Sequence, residues 1–200
     1  MENVLVGIKG WQYENWQGQY YPEDLPEDWQ LDFYSNQFYC TLIPQNQWLN
    51  WTEEDIEEIA ETLEGESFYF TLEVKKCQGG VQLQRIKDIL GSLFHGILVS
   101  DIINDDFYQS LSVKVTIKSK QPIINKDWSF KFNDDYYAGF PMLELDLAIL
   151  SIEQKKTCLT EFKNSLPMQE EGLIYIKNTD NNINVEKAIE FQTLAELLGL

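Results

Sequence analysis

Histidine is nearly absent from this 200-residue chain and cysteine is scarce. With His95 alone, nucleophilic triads and zinc sites have little to build on, since both usually need histidine. Cys40, Cys77 and Cys158 are odd in number and far apart. They lack the short paired spacing of a metal knuckle or a redox motif, and a reducing cytosol is the simplest setting for them. No Lys/Arg cluster occurs, and no apolar run approaches the ~20 residues of a membrane helix. The opening MENVLVGIKG lacks the basic and apolar regions of a secretory leader. A soluble, cytoplasmic protein is expected. The early glycines Gly7, Gly10 and Gly18 lack the compact G-x-G-x-x-G spacing, and no phosphate-binding G-x-x-x-x-G-K-S/T loop or calcium loop is present. No cofactor and no metal is indicated.

Positive charge is also in short supply, with 15 basic side chains against 33 acidic ones and a formal net charge of -18. Such a field repels nucleic-acid phosphates and anionic membranes, so neither is an expected partner. It also has a plain role in solubility. Oligomeric state is left open by the sequence.

Apolar and aromatic residues are plentiful, at 44% and 14%, enough for a sizeable core in one domain spanning residues 1–200. Strands are expected at Val4 to Ile8, Tyr39 to Ile43, Ser67 to Val74, Ile97 to Ser100, Val113 to Lys118 and Leu173 to Ile176. Several are apolar on nearly every residue, which suits a parallel sheet covered on both faces. Trp128 to Phe132 and Met142 to Leu147 alternate more and are weaker strand candidates. Between them, Thr52 to Asp55 and Ser151 to Gln154 have capping-box spacing ahead of apolar stripes. Val81 to Phe94 and about Val185 to Leu198 complete the helices, the latter with Asn184 as a cap. Strand and helix in alternation give an α/β domain. Eight strands allow a TIM-barrel-like (β/α) barrel, compact or incomplete at this length, with an open doubly wound sheet as the competitor.

The segment Gly7-Ile8-Lys9-Gly10-Trp11, followed by Tyr13, Trp16, Gly18, Tyr20-Tyr21-Pro22 and Leu25-Pro26, resembles the opening of the domain-of-unknown-function 72 family, the YecE-like proteins. An aromatic-containing helix over Trp29 to Phe38 fits the same pattern. Leu173 to Asp180, with Ala188 and Leu194 to Leu198, is similar to the family's last strand, turn and closing helix. The resemblance implies a TIM-barrel-like fold with its pocket at the carboxyl ends of the strands, and no established activity. The chain departs from the family at polar positions: Ile43 stands where an acid is usual, Glu73 where a lysine is usual, and Lys131 to Asn133 in place of an R-x-H pair. Of a paired asparagine only Asn178 survives. The short stretch from Lys118 to Lys131 suggests a missing helix or strand. A divergent member with an altered site is the expectation.

Carboxylates are then the capable acids and bases. Glu73, Asp101, Glu144 and Asp146 fall in or just after strands, and a converging pair could serve a glycosidic hydrolysis. Asn104 to Asp106 reads as a helix start, and Asp134-Asp135 and Asn178 to Asn182 as turns. His95 reads as the solvent-facing end of an amphipathic helix. Lys9, Lys118 and Lys177 all come at strand carboxyl ends, which in a barrel share one face. Beside Glu73 and Asp101 they would make a mixed-charge pocket for a small anion, covered by Trp11, Tyr13 and Trp16. Trp11 and Trp16 suit a closing plug, and Tyr13, with its hydroxyl, suits a ligand contact. The candidate ligand-binding set is therefore Lys9, Trp11, Tyr13, Trp16, Glu73, Asp101, Lys118, Lys177 and Asn178. A binding protein or pseudo-enzyme is the leading reading. A carboxylate-dependent or metal-assisted hydrolase of a carbohydrate or phosphorylated small molecule is one alternative, and a protein-interaction module is another.

Overall fold

Capping boxes and apolar stripes place the helices. In a computed structural model, which describes residues 4–75, 79–100, 112–124, 126–177 and 183–200, the two boxes form as the spacing requires. At α3 (Glu53–Thr62), the Thr52 N–H donates to Asp55 Oδ2 at 2.6 Å and the Asp55 N–H returns to Thr52 Oγ1 at 3.1 Å. At α5 (Ile152–Ser165), Ser151 and Gln154 exchange the same pair of bonds. Asn184 caps α6 (Val185–Leu197) through the Lys187 N–H. The remaining helices are α1 (Gln30–Ser35), α2 (Gln45–Trp48) and α4 (Gly80–Leu90). In α6 the buried face runs through Val185, Ala188, Phe191 and Ala195, with Leu198 left partly exposed.

Nine strands make one sheet: β1 (Val4–Ile8), β2 (Cys40–Ile43), β3 (Tyr69–Val74), β4 (Phe94–Ser100), β5 (Lys114–Ser119), β6 (Ser129–Phe132), β7 (Asp135–Gly139), β8 (Met142–Asp146) and β9 (Gly172–Lys177). Their spatial order is β6-β7-β5-β4-β3-β2-β1-β9-β8. From β5 to β8 every pairing is parallel, and only the β6–β7 hairpin runs against its neighbour β5. The α/β reading is correct at this level, and the sheet curls into a half-barrel, an incomplete cylinder with β6 and β8 as its edges.

The curl follows from contacts a flat sheet forbids. β5 and β8 are six strand spacings apart in the order, roughly 29 Å if flat. Yet Lys118 Nζ of β5 lies 2.7 Å from Glu144 Oε2 of β8. Deeper inside, Thr71 Oγ1 of β3 and the Tyr175 hydroxyl of β9 are 2.6 Å apart. The Tyr137 hydroxyl on β7 donates to the Glu144 carbonyl across the gap between the hairpin and β8.

Two features tighten the β1–β2 seam. Gly7 has no Cβ because one there would sit 2.1 Å from the Cys40 carbonyl oxygen. The buried Tyr34 hydroxyl accepts from the Ile8 N–H and donates to the Cys40 carbonyl, both at 2.9 Å.

Three expectations are corrected. Asp134-Asp135 is not simply a turn: Asn133 and Asp134 form the hairpin loop, with Asn133 at φ 52°, and Asp135 begins β7, a strand not anticipated. The short stretch after Lys118 holds this hairpin in place of a strand-helix unit. The helix expected through Phe94 stops at Leu90, because Gly91 takes φ +52° and turns the chain into β4. His95 is therefore a buried strand residue between the rings of Tyr69 and Phe140, not a solvent-facing helix end. Desolvation there, with the Lys114 cation nearby, pushes its pKa down to about 3, so it is neutral at ordinary pH. Among the described residues no helix is long and apolar enough to cross a membrane. Cys40 and Cys158 are buried free thiols; Cys77, the Asn104 to Asp106 run and residues 178–182 lie outside the described residues.

Candidate site at the strand carboxyl ends

The two-residue period of a strand sets which side chains meet inside the curl. Thr71 and Glu73 share one face of β3, Thr116 and Lys118 one face of β5, Met142 and Glu144 one face of β8, and Tyr175 and Lys177 one face of β9. The first member of each pair lies deeper among apolar groups, and the second is the charged residue nearer the carboxyl end. Lys9 follows β1 directly, its N–H held by the Ile176 carbonyl at 2.9 Å.

Glu144 is the hub. Its side chain is 4% exposed, and it receives Lys9 at 2.7 Å, Lys118 at 2.7 Å and Lys177 at 3.2 Å. Lys9 bridges from Glu144 to Glu73, whose other oxygen lies 3.2 Å from Lys75. On the hairpin side, Asp135 takes Lys120 at 2.7 Å and Lys118 at 3.6 Å, and Lys118 also sits over the Tyr137 ring.

The electrostatics follow from this crowding. Burial alone would raise the Glu144 pKa, but the three ammoniums hold its carboxyl well below the usual carboxylate range. Burial opposes the charge on Lys9 and Lys118 too, yet their carboxylate neighbours win and both are held above the ordinary lysine value. Lys177 goes the other way. Burial pushes its pKa down, the Glu144 carboxylate opposes that, and the Lys118 ammonium adds to the downward push. The described ion pairs join five ammoniums (Lys9, Lys75, Lys118, Lys120, Lys177) to three carboxylates (Glu73, Asp135, Glu144), and a fourth, Asp146, stands opposite Lys177 in the β8–β9 ladder. One third of the chain's 15 basic residues thus meet at one end of a half-barrel whose protein carries -18 overall.

Residues 5–79 match the family model described as Protein of unknown function DUF72. The span agrees with the resemblance carried by Gly7 to Pro26, and it includes β1 to β3 with Lys9, Glu73 and Lys75. The rest of the cluster, Lys118, Lys120, Asp135, Glu144 and Lys177, lies beyond the DUF72 match. No curated protein and no solved structure matches the chain.

Of the residues singled out from the sequence, the structure brings Lys9, Glu73, Lys118 and Lys177 together. Asp101 and Asn178 lie outside the described residues. Trp16 is buried in an aromatic nest with Tyr13, Tyr20, Tyr21 and Tyr34, and its indole N–H donates to the Ile183 carbonyl at 2.7 Å. The Tyr13 hydroxyl donates to the Lys9 carbonyl, fixing the turn that delivers Lys9 to the cluster. Trp11 packs edge-on to Phe70 and against Trp51, and with Trp51, Asp28, Asp55 and Glu58 it lines a separate open cleft of about 440 Å³. That cleft is acidic and takes none of the lysines.

Glu144, Asp135, Lys75 and Lys120 are the members the sequence did not assign to the site. Glu144 was visible only as one of several strand-end acids; its signal is the polar residue at every second position of Met142-Leu-Glu-Leu-Asp146. Asp135 arrives through a hairpin the composition hid. Chemically, Glu144, a carboxylate held ionised by three ammoniums, is not the proton donor that glycoside hydrolysis requires. Among the described residues no group of three or more His, Cys, Asp and Glu side chains could hold a metal ion.

Proposed function

We propose that the protein is a TIM-barrel-like relative of the DUF72 proteins that binds a small anion, a carboxylate or phosphate, at the strand carboxyl ends without the carboxylate chemistry of a hydrolase. The observation that carries this reading is the surplus of five ammoniums (Lys9, Lys75, Lys118, Lys120, Lys177) over four carboxylates (Glu73, Asp135, Glu144, Asp146) at this end of the sheet. At an effective dielectric of about 20, two like charges 4 Å apart cost about 4 kcal/mol. An incoming anion relieves that repulsion. Lys177, whose side chain is 32% exposed against 13–16% for Lys118 and Lys9, is the group such an anion reaches first.

Isothermal titration with oxalate and with phosphate at low ionic strength tests the proposal. The wild type should bind at least one of them, and Lys177→Gln should weaken binding by about ten-fold while leaving the melting temperature within about 2 °C. No heat with either anion, or equal affinity in Lys177→Gln, would remove the basis for the reading.

A further inference from the structure

The cluster contains one amine unlike the rest. Lys9 is bridged between two carboxylates and Lys118 has Glu144, Asp135 and the Tyr137 ring around it. Lys177 Nζ has Glu144 Oε2 at 3.2 Å, the longest of that carboxylate's three contacts, on an oxygen already taken by Lys118 at 2.7 Å. It is the most exposed of the three, at the final position of β9. An amine that shares one carboxylate oxygen with a second ammonium, on a strand end that faces the mouth, is the least committed to being charged. Burial and the neighbouring Lys118 cation push its pKa down, and the Glu144 carboxylate opposes them only in part. A lysine beside another cationic group is a recognised way to obtain a nucleophilic amine at neutral pH. The chain's single arginine, Arg85, is on α4 and outside the cluster. Every cation of the site is therefore a lysine, which can lose its proton where arginine cannot.

We propose that Lys177 is an imine-forming residue whose substrate class is a small carbonyl compound carrying an anionic group next to the carbonyl, such as a 2-oxo acid. In the step, the free Lys177 amine gives its lone pair to the carbonyl carbon and the C=O π pair moves to oxygen. Two protons pass from nitrogen to that oxygen, the oxygen leaves as water, and a neutral C=N bond remains, which takes back from solvent the proton that the Lys177 ammonium gave up to become the free amine. Protonated amine plus carbonyl compound gives iminium plus water, so atoms and charge balance with no further reagent. The adjacent anionic group would be met by the Lys118 and Lys9 ammoniums, while Glu144 Oε2 pairs with the iminium as it does with the ammonium. This deepens the anion-binding reading and rests on it.

Cyanoborohydride trapping with glyoxylate, followed by peptide mass mapping, tests it. Lys177 should gain one carboxymethyl group about ten times faster than the exposed Lys156, and Lys177→Arg should fold and lose only that label. Lys118→Gln should slow the labelling by removing the cation that lowers the amine's proton affinity. Oxalate should protect Lys177, and propionaldehyde, a carbonyl without the anionic group, should label it more slowly than glyoxylate. Glyoxylate labelling of Lys177 no faster than Lys156 would overturn the proposal, even if oxalate still binds by titration. Rapid labelling by propionaldehyde with no protection by oxalate would keep the nucleophile and overturn the anion site beneath it.

Discussion

Replacing Glu144 by Gln is the perturbation on which the described geometry bears most heavily. The substitution keeps size and hydrogen-bonding capacity and removes one buried negative charge from among three ammoniums at 2.7, 2.7 and 3.2 Å. Breaking a buried ion pair from one side costs about 3–5 kcal/mol, because the remaining charge is left uncompensated. In a chain of this length each kcal/mol is worth about 2–4 °C, so the melting temperature should fall by about 6–20 °C at neutral pH and low salt. Scanning calorimetry across pH supplies the sign. The folded Glu144 pKa lies below its unfolded value, so its contribution is complete above about pH 4.3 and is lost as pH falls through the lower folded value. The wild-type and variant curves should therefore converge in strong acid. Phosphate should restore part of the loss in the variant, since it replaces the missing anion. A melting temperature within about 1 °C of wild type, or a gap that stays constant down to strong acid, would refute the hub role of Glu144.

Gly7→Ala puts a Cβ 2.1 Å from the Cys40 carbonyl, a backbone atom that cannot step aside, so it should destabilise by about 1–3 kcal/mol or prevent folding, as read by urea unfolding. Thr52→Ala removes one capping box on α3 and should cost about 1 kcal/mol by the same measurement, with no effect on anion affinity. His95→Phe should flatten the stability profile between about pH 6.5 and 3. The buried histidine has a folded pKa below its unfolded one, so its contribution is full above pH 6.5 and is lost as pH falls toward 3. An unchanged pH slope in that variant would show that His95 is not the group responsible.

Most of the fold was legible because each local signal agreed with the packing. β1 has the expected bounds, and β2, β3, β5, β8 and β9 differ by one or two residues at one end or both. Both capping boxes formed, since S/T-x-x-D/Q ahead of an apolar stripe satisfies orphan N–H groups whatever lies beyond. What failed was long-range or hidden in composition. β7 reads Asp-Tyr-Tyr-Ala-Gly, poor in β-branched residues, and its strand character comes from pairing with β5 and β6. The sign that could have found it is Asn133-Asp134 between Phe130 and Tyr137, a two-residue turn flanked by aromatics. His95 was misplaced because the apolar stripe of α4 runs on to Phe94 in the sequence, while the backbone conformation of Gly91 ends the helix earlier. In the candidate site, Lys9, Lys118 and Lys177 were legible as lysines at strand ends. Glu144 was not singled out from other strand-end acids, because only the curl of the sheet brings β8 opposite β5 and sets three lysines on one carboxylate.

The anion site itself is tested most directly by a crystal structure of the protein grown with oxalate at low ionic strength. The account predicts oxalate density within hydrogen-bond distance of Lys177 Nζ and Lys118 Nζ at the mouth of the curled sheet. A well-ordered mouth in which these two ammoniums are closed off by protein carboxylates alone, with no oxalate beside them, would contradict it.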